Sequence, residues 1–313
     1  MHIAQIGTGR VGRPTAYTIL CSKIADEITV CDIKPGLAKA FAEELKHASA
    51  SLGIDVKISS CERDEDVSGA DLILISAGKP RVPGIRMSRR DLAVENAKIV
   101  KYVSEAVAPS NPGAKYIVIT NPVDSMTMVC KKYSRAEFVI GTGTYLESLR
   151  LRSKLAEYLQ VPVSKVSGWV GGEHGDLATI LWTTVKVYNM PVEEYSRIRG
   201  RSLEKNFIED YIKSITRFII DNVGGTEYGP AAAFRDIVKS IVDDKKNVFP
   251  IDVPIRFDNL PEPVYVSVPT RLGRSLGENI YSKLSFEEKT KIFEAAKTIY
   301  RTYVDAISNI DKV

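Results

Sequence analysis

The sequence predicts an α/β protein in which a doubly wound parallel sheet is followed by an α+β half. Over residues 1–144, short apolar runs alternate with segments of helical length and periodicity. Such alternation is typical of parallel strands joined by helices that cover both faces of the sheet. From residue 145 the alternation loosens into longer helical stretches and strands suited to antiparallel pairing. We therefore expect two domains, residues 1–144 and residues 145–313.

Six short strands account for the predicted parallel sheet of the first half. They are expected at residues 2–6, 27–32, 56–59, 71–76, 116–120 and 138–140, with helices at 14–24, 37–50, 92–108 and 123–133. In sheets of this kind, ligands bind beyond the carboxyl ends of the strands. The loops that follow the strands therefore form one candidate binding rim.

A glycine-rich turn, Gly7-Thr8-Gly9-Arg10-Val11-Gly12, joins the first strand to the first helix. The glycine spacing alone is weak evidence, but between a strand and a helix, with an acidic residue twenty positions later, it indicates a Rossmann dinucleotide site. One glycine makes the turn, the next lets the backbone approach a pyrophosphate, and the third lets helix and strand pack closely. The free N–H groups at the helix start favour phosphate.

The acidic residue of this pattern is Asp32, at the end of the second predicted strand. Its carboxylate can accept hydrogen bonds from ribose hydroxyls and would repel a 2′-phosphate, which favours NAD. Lys34 lies close enough to keep NADP as a secondary cofactor. The cofactor-binding residues predicted along the rim are Gly7, Gly9, Arg10, Val11, Gly12, Asp32, Ala77, Gly78, Asn96, Thr120, Asn121 and Val123.

A basic loop follows the fourth predicted strand, at residues 77–91, and carries five cations between ends that contain glycine and proline. Most charged runs are simply solvated. This one follows a strand directly at the cofactor rim, so we interpret it as a movable lid. Arginine suits carboxylates because its planar fork holds both oxygens. The loop therefore predicts a small anionic substrate.

The second half contains a candidate proton carrier, His174, in the glycine-flanked turn Gly171-Gly172-Glu173-His174-Gly175-Asp176. A histidine held in this way can gain and lose a proton near neutral pH. A loop histidine without function is the alternative that this turn alone leaves open. Glu147 and Arg150 share one face of a helix predicted at residues 146–159, either facing that turn or forming an ordinary intrahelical ion pair.

Further elements complete the predicted second half. Strands are expected at residues 166–170, 178–187, 248–255 and 264–268, and helical regions at 192–223 and 228–242. Ser285-Phe286-Glu287-Glu288 has the spacing of a capping box that begins a last helix, ending near residue 307.

Composition limits the classes of function. A net charge of +4 with scattered basic residues does not favour nucleic-acid binding. The four cysteines lack metal-site spacing, so we predict no metal site and reduced thiols. No apolar run approaches the roughly 18 residues that span a bilayer, and the first residues lead directly into a strand. We expect a cytoplasmic protein that binds no membrane.

Taken together, the motifs resemble those of the lactate/malate dehydrogenase family over essentially the whole chain. They are Gly7-x-Gly9-x-x-Gly12, Asp32, the Ala77-Gly78-x-Pro80-Arg81-x-Pro83-Gly84 loop, Asn121-Pro122, Leu146-Glu147-Ser148-x-Arg150 and Gly172-x-His174-Gly175-Asp176. The resemblance is greatest to malate dehydrogenases of the lactate-dehydrogenase-like type. It implies reversible hydride transfer between (S)-malate and NAD⁺, giving oxaloacetate and NADH, with a place in the tricarboxylic acid cycle.

The resemblance also implies a role for each site residue. His174 exchanges the hydroxyl proton, Arg150 binds the C1 carboxylate of the substrate, and Arg89 polarises its carbonyl. Arg81 pairs with a second carboxylate, where lactate enzymes usually carry glutamine. Asn121 bonds the substrate oxygen beside the nicotinamide, commonly with a cis bond to the next proline, and Thr226 lines the pocket.

Two departures from the family pattern leave alternatives open. The family has aspartate where this chain has Glu147, the carboxylate that orients the histidine, and Glu173 and Asp176 are candidate substitutes that we rank lower. The lid is two residues longer than the usual malate pattern, so Arg86 competes with Arg89 for the role of lid arginine.

Competing functions and assembly complete the expectations. A lactate or broad 2-hydroxy-acid dehydrogenase is the alternative within the enzyme class, and a non-catalytic dinucleotide-sensing protein is the alternative from another class. The resemblance implies a homo-oligomer, with a tetramer favoured over a dimer, and a small dicarboxylate as the substrate.

Overall fold

The computed structural model describes residues 1–79 and 89–310, with Arg89 described by its backbone alone. Two of the predicted lid arginines, Arg81 and Arg86, lie outside the described residues. The strands of the first half are β1 (His2–Ile6), β2 (Glu27–Cys31), β3 (Lys57–Cys61), β4 (Leu72–Ile75), β5 (Lys115–Val118) and β6 (Val139–Gly141). The helices of that half are α1 (Gly12–Cys21), α2 (Leu37–Leu52), α3 (Arg89–Val107) and α4 (Val123–Ser134).

The second half begins with a helix and then forms antiparallel strands. Its helices are α5 (Tyr145–Leu159), α6 (Val192–Ile198), α7 (Lys205–Val223), α8 (Tyr228–Val242) and α9 (Phe286–Ile310). Its strands are β7 (Val166–Gly172), β8 (Ala178–Val187), β9 (Met190–Pro191), β10 (Asn247–Ile255), β11 (Val264–Leu272) and β12 (Leu276–Asn279).

The predicted parallel sheet of the first half is confirmed. Strands β3, β2, β1, β4, β5 and β6 lie side by side in that order, and every neighbouring pair is parallel. All four residues of β4 are buried, as expected for a central strand with helices on both faces. The chain starts at β1 and winds outwards in both directions, so the loops after β1 and β4 open beside each other. This junction is where doubly wound sheets bind ligands.

The sheet does not stop at β6. Strand β10 pairs antiparallel with β6 through one residue pair, Asp252 with Gly141, and β10 then pairs along its length with β11. Strand β11 contacts β7 through Ser267 and Gly172, and β7 pairs with β8. One continuous sheet therefore runs from the dinucleotide-type strands to the turn that carries His174.

One prediction for the second half is wrong. Residues 192–223 were expected to form one long helical region, but α6 ends at Ile198 and α7 begins at Lys205. Gly200 in this interval has φ +63°, a left-handed conformation that ends a right-handed helix. The apolar periodicity continues on both sides of the interruption, so the pattern alone did not show it.

The predicted capping box is present at the start of α9. The Ser285 N–H donates to Glu288 Oε2 (3.0 Å), and the Glu288 N–H donates to Ser285 Oγ (3.3 Å). Glu288 also accepts hydrogen bonds from the N–H and the hydroxyl of Thr183 in β8 (3.1 and 2.8 Å). One buried carboxylate therefore caps α9 and anchors it to β8.

Replacing Glu288 by alanine should lower the free energy of unfolding by about 1–3 kcal/mol, because buried N–H and O–H donors lose their acceptor. The measurement is urea unfolding followed by circular dichroism. The control is Glu287→Ala, which removes an exposed carboxylate that forms a surface ion pair with Lys291 and should leave unfolding nearly unchanged. Equal unfolding midpoints for the two variants would contradict the anchoring role of Glu288.

Candidate active site

Two glycines of the turn after β1 are required for close packing, whereas a third faces open space. A Cβ on Gly7 (φ +88°) would lie 2.5 Å from the Ala77 nitrogen, and a Cβ on Gly12 would lie 2.0 Å from the Gly7 oxygen. Both positions therefore require glycine for close packing. A Cβ on Gly9 would meet no atom within 4 Å among the described residues. The exposed Gly9 thus leaves free space beside the start of α1.

The free space beside Gly9 has the features of a phosphate-binding site. In the part of the chain that the structure describes, no side chain caps the first N–H groups of α1. Uncapped N–H groups and the positive end of the helix dipole favour a phosphate. The turn is accordingly shaped to receive the pyrophosphate of a dinucleotide.

Asp32 lies directly beside this turn, at the end of β2. Its Oδ2 accepts hydrogen bonds from the N–H and the hydroxyl of Thr8 (2.8 and 3.0 Å), and its Oδ1 accepts one from the Lys34 N–H (3.0 Å). These bonds fix the carboxylate next to the phosphate-type turn, where the ribose of a dinucleotide would lie. The position fits NAD.

The remaining predicted rim residues form a bonded layer at the ends of β4 and β5. The Asn96 side chain accepts from the Lys79 N–H and donates to the Asn121 carbonyl, each at 2.7 Å. The Thr120 hydroxyl donates to the Ala77 carbonyl (2.7 Å). A Cβ on Gly78 would lie 2.7 Å from Thr120 Cγ2, and Val123 is buried where α4 begins. The predicted cis bond between Asn121 and Pro122 is confirmed.

Arg10 behaves differently from the other residues of the glycine-rich turn. Its Nη1 is 3.0 Å from Glu227 Oε1 and donates to the Val223 carbonyl (3.4 Å). Its guanidinium also packs against Gly224 and Gly225. Arg10 therefore links the predicted cofactor turn to the segment that contains Thr226, which is half-buried.

The His174 turn is positioned by Gly172, the last residue of β7. Gly172 has φ +91°, and a Cβ there would lie 2.7 Å from the Leu177 carbonyl oxygen, so the tight return of the chain requires glycine. The pairing of Gly172 with Ser267 holds the end of β7 against β11. The turn therefore presents His174 at a fixed place beside α5.

Glu147 contacts the imidazole of His174, as the sequence predicted. Nδ1 of His174 lies 3.1 Å from Glu147 Oε1 and 3.2 Å from Oε2. Arg150 Nη1 is 3.4 Å from Glu147 Oε1 and donates a hydrogen bond to the Thr216 hydroxyl of α7 (2.8 Å). The side chains of Glu147 and Arg150 are 8% and 10% exposed, whereas that of His174 is 25% exposed. One buried carboxylate thus joins a partly accessible imidazole and a buried guanidinium.

The charges in this cluster support one another. Burial by itself would raise the pKa of Glu147, but His174 and Arg150 hold it below its ordinary value. Burial would lower the pKa of His174, but the carboxylate of Glu147 raises it to about 9. Burial lowers the pKa of Arg150, partly offset by Glu147. His174 is therefore cationic at neutral pH, with Nδ1 donating to Glu147.

Three contact residues of the site were not found from the sequence. Both carboxyl oxygens of Asp124 accept from the His174 N–H (3.1 and 3.3 Å), and Asp252 lies next to Asp124. Thr216 holds Arg150, as described above. An acidic residue among the apolar residues of α4 was a signal for Asp124, whereas nothing local marks Asp252 or Thr216 as part of the site.

The structure gives the positions of some of the remaining predicted site residues. Arg89 is the first residue of α3, and Asn121 is exposed at the rim next to Pro122. Glu173, one of the alternatives to Glu147, accepts from the Leu177 N–H (3.4 Å) through Oε2.

Among residues 1–79 and 90–310, no group of three or more metal-binding side chains converges. Within the described residues, no helix is long and apolar enough to cross a membrane.

A dinucleotide rim and a carboxylate–imidazole pair beside a buried arginine define an NAD-dependent dehydrogenase. The sequence matches the family described as lactate/malate dehydrogenase, its NAD-binding domain over residues 1–138 and its α/β C-terminal domain over residues 144–307. The chain belongs to the lactate/malate dehydrogenase family and is an oxidoreductase that uses NAD.

Individual relatives cover the whole chain. The malate dehydrogenase of Sulfolobus acidocaldarius is 38% identical, covering 100% of this chain and 99% of its own length. The L-lactate dehydrogenase of Thermus aquaticus is 31% identical, with coverages of 96% and 97%. The crystal structure of Plasmodium falciparum malate dehydrogenase in complex with NADH is 26% identical, with a TM-score of 0.90 and coverages of 99% and 100%.

The two glycines of the cofactor turn should respond differently to alanine. Gly12→Ala places Cβ against a backbone oxygen and should lower the free energy of unfolding by about 1–3 kcal/mol or more. The added methyl group of Gly9→Ala meets no atom of the described residues within 4 Å. Stability should therefore hold, while the methyl group obstructs the pyrophosphate and weakens NADH binding. Thermal unfolding and NADH fluorescence titration measure the two effects. Unchanged NADH affinity in Gly9→Ala would contradict this placement of the pyrophosphate.

Proposed function

We propose that this protein is an NAD-dependent malate dehydrogenase that interconverts (S)-malate and oxaloacetate. The observation that carries the proposal is the buried arrangement of His174, Glu147 and Arg150 at one end of a dinucleotide-binding sheet. This arrangement supplies one proton carrier and one carboxylate-binding cation, which oxidation of a 2-hydroxy acid requires. The 38% identity to a malate dehydrogenase over the full chain supports malate as the substrate.

The chain itself positions the substrate and handles one proton. Bound NAD supplies the hydride acceptor, or donor in the reverse direction. Neutral His174 accepts the hydroxyl proton at Nε2 as the C2 hydride leaves, and Glu147 stabilises the resulting imidazolium. Arg150 holds the C1 carboxylate, Asn121 bonds the substrate oxygen, and Thr226 lines the pocket. Arg89 polarises the carbonyl, and Arg81 pairs with the second carboxylate.

Two other functions are tested alongside this one. A lactate or broader 2-hydroxy-acid dehydrogenase would use the same His174 site, and the identity to a Thermus lactate dehydrogenase supports it. An arginine at position 81 favours malate, because lactate has no second carboxylate with which the guanidinium could pair. A non-catalytic dinucleotide sensor would need neither the imidazole pair nor the buried arginine.

Oxidation of NADH by the purified protein should be fast with oxaloacetate and slow with pyruvate. Because Arg81 is proposed to bind the second carboxylate, Arg81→Gln should reduce the ratio of kcat/KM for oxaloacetate to that for pyruvate by at least about tenfold. The measurement is the steady-state loss of NADH absorbance with each substrate.

His174→Asn is the catalytic control for this assay and should lose turnover with both substrates while still binding NADH. An unchanged substrate ratio in Arg81→Gln would refute the role of Arg81. Full activity in His174→Asn would refute the proposed chemistry, and NADH binding without turnover by the unaltered protein would favour the sensor.

The pH dependence of kcat/KM should follow the protonation state of the His174 imidazole. Because the pKa of His174 is raised to about 9, its proton is bound below that pH and lost above it. Oxaloacetate reduction needs the proton, so its kcat/KM should be constant at neutral pH and fall above about 9. Malate oxidation needs the neutral ring, so its kcat/KM should rise over the same interval. Steady-state profiles in both directions give the midpoint.

The same profiles test Glu147. In Glu147→Gln the carboxylate that retains the proton is gone, so both midpoints should move down towards about 6.5, with a lower kcat. The matched control is Glu157→Gln, which changes an exposed glutamate of the same helix α5 and should leave the midpoints in place. Coincident profiles for Glu147→Gln and the unaltered protein would exclude Glu147 as the partner of the imidazole.

The proposal extends to assembly and location. We infer a cytoplasmic homotetramer, with a dimer as the alternative, that acts in the tricarboxylic acid cycle. We assign NAD binding to residues 1–144 and substrate binding to residues 145–313, and the family matches to 1–138 and 144–307 support this division. Light scattering of the purified protein distinguishes the two assemblies.

A further inference from the structure

Two buried aspartates lie behind the His174 turn, where the two halves of the sheet meet. Asp124 in the first turn of α4 is 1% exposed, and Asp252 of β10 is 0% exposed. Asp252 stands in register with Gly141 of β6, and a Cβ on Gly141 would lie 2.1 Å from Asp252 Oδ2. The absent side chain of Gly141 therefore makes the space that the Asp252 carboxyl occupies.

The two carboxyl groups have unequal hydrogen-bond partners. Asp124 accepts from the backbone N–H of His174 through both oxygens. Neither oxygen of Asp252 receives a well-aligned hydrogen bond from an N–H or O–H group of the described residues. Within that same part of the chain, no lysine or arginine forms an ion pair with either aspartate. Lysines and arginines of the described residues therefore do not account for the burial of these two acids.

A proton shared between the two carboxyl groups accounts for the burial of Asp124 and Asp252. An ionised carboxylate can only accept hydrogen bonds, and two ionised carboxylates side by side in a low-dielectric interior repel each other. When one of them is protonated, it donates to the other, and the pair carries a single negative charge. The neighbouring carboxyl groups of Asp124 and Asp252 are close enough to form this hydrogen bond.

We propose that Asp124 and Asp252 share one proton and act as a single group that holds the backbone of His174 from behind, so that Asp252 is a positioning residue for the reaction. This role rests on the function proposed above for His174. The protonated carboxyl of the pair donates to the other, and Asp124 also accepts from the His174 N–H. The turn is thereby fixed on the side opposite to Glu147, and the imidazole has one orientation towards the cleft.

The surrounding charges agree with this assignment. Burial raises the pKa of Asp124, and Asp252 raises it further, while His174 opposes the shift. Burial also raises the pKa of Asp252, to about 7. The other titratable groups facing the pair are Glu147 of α5 and Glu173 of the turn, and both act as negative charges that favour retention of the proton. The pair therefore keeps one proton at neutral pH.

Infrared spectroscopy of the unliganded protein tests the shared proton directly. With ¹³C-labelled aspartate, the unaltered protein should show the carbonyl stretch of a protonated carboxylic acid at neutral pH. Asp252→Asn should lack the band, because its amide donates permanently to an ionised Asp124. Asp64→Asn is the control, since it removes a buried carboxyl outside the site and should leave the Asp252-dependent band present.

Kinetics and NMR test the positioning role. Asp252→Asn keeps a donor to Asp124 and should retain kcat within about twofold. Asp252→Leu removes that donor and should lower kcat by about 10- to 100-fold, with the KM for NADH unchanged, because the turn loses its fixed geometry. The titration of the His174 imidazole by ¹⁵N NMR should remain a single transition in Asp252→Asn and Asp64→Asn.

The outcomes separate this inference from the proposed function. Absence of a protonated-acid band in the unaltered protein, or its persistence in Asp252→Asn, overturns the shared proton whether or not the protein oxidises malate. Equal kcat for Asp252→Asn and Asp252→Leu overturns the positioning role. If Asp252→Leu does not fold, the infrared comparison of Asp252→Asn with the unaltered protein still decides whether the two aspartates share a proton. Failure to turn over any 2-oxo acid refutes the function and leaves the infrared result standing.

Discussion

The contact between Glu147 and His174 depends on how tightly α5 is fixed to β7. Thr144, directly before the helix, and Ser148, within it, make that connection. The Thr144 hydroxyl donates to the Val170 carbonyl (2.6 Å), and the Ser148 hydroxyl accepts from the Val170 N–H (2.8 Å). Both polar groups of one strand residue are thus bound by the helix, four positions before the imidazole. Because these bonds are buried, water does not compete for them and the helix stays in register with the strand.

The glutamate at position 147 has a physical advantage in this geometry. Its Oε1 lies 3.1 Å from the imidazole of His174 and 3.4 Å from the guanidinium of Arg150, so one carboxylate stabilises both groups together. A buried guanidinium without a partner would be costly, and Thr216 alone offers no charge. The additional methylene of glutamate, relative to the aspartate of the family pattern, is accommodated while both contacts are kept. The site therefore has internal charge balance before any substrate arrives.

Much of this site was predictable because its residues lie next to strand ends or on one helical face. Strand–turn–helix spacing identified Gly7, Gly9 and Gly12, and the three-residue spacing of Glu147 and Arg150 placed them together. Asp252 could not be found in this way, because its contact with Asp124 exists only where β10 joins β6, and that joint depends on the whole sheet. The break at Gly200 was missed because its left-handed backbone leaves the flanking periodicity intact. Local sequence patterns therefore predicted residues of the site itself. Asp252, which lies behind them, is brought there only by long-range strand pairing.

The turn after β5 shows why these supports matter for chemistry. The Asn121 carbonyl accepts from Asn96 of α3, and three residues later Asp124 accepts from the backbone of His174. The same short segment therefore holds helix α3 and the turn that carries the imidazole. A displacement of this segment would move Asn121 and the His174 turn together, so their separation would change little. Hydride transfer and proton transfer need that separation to be constant, and a single rigid segment provides it.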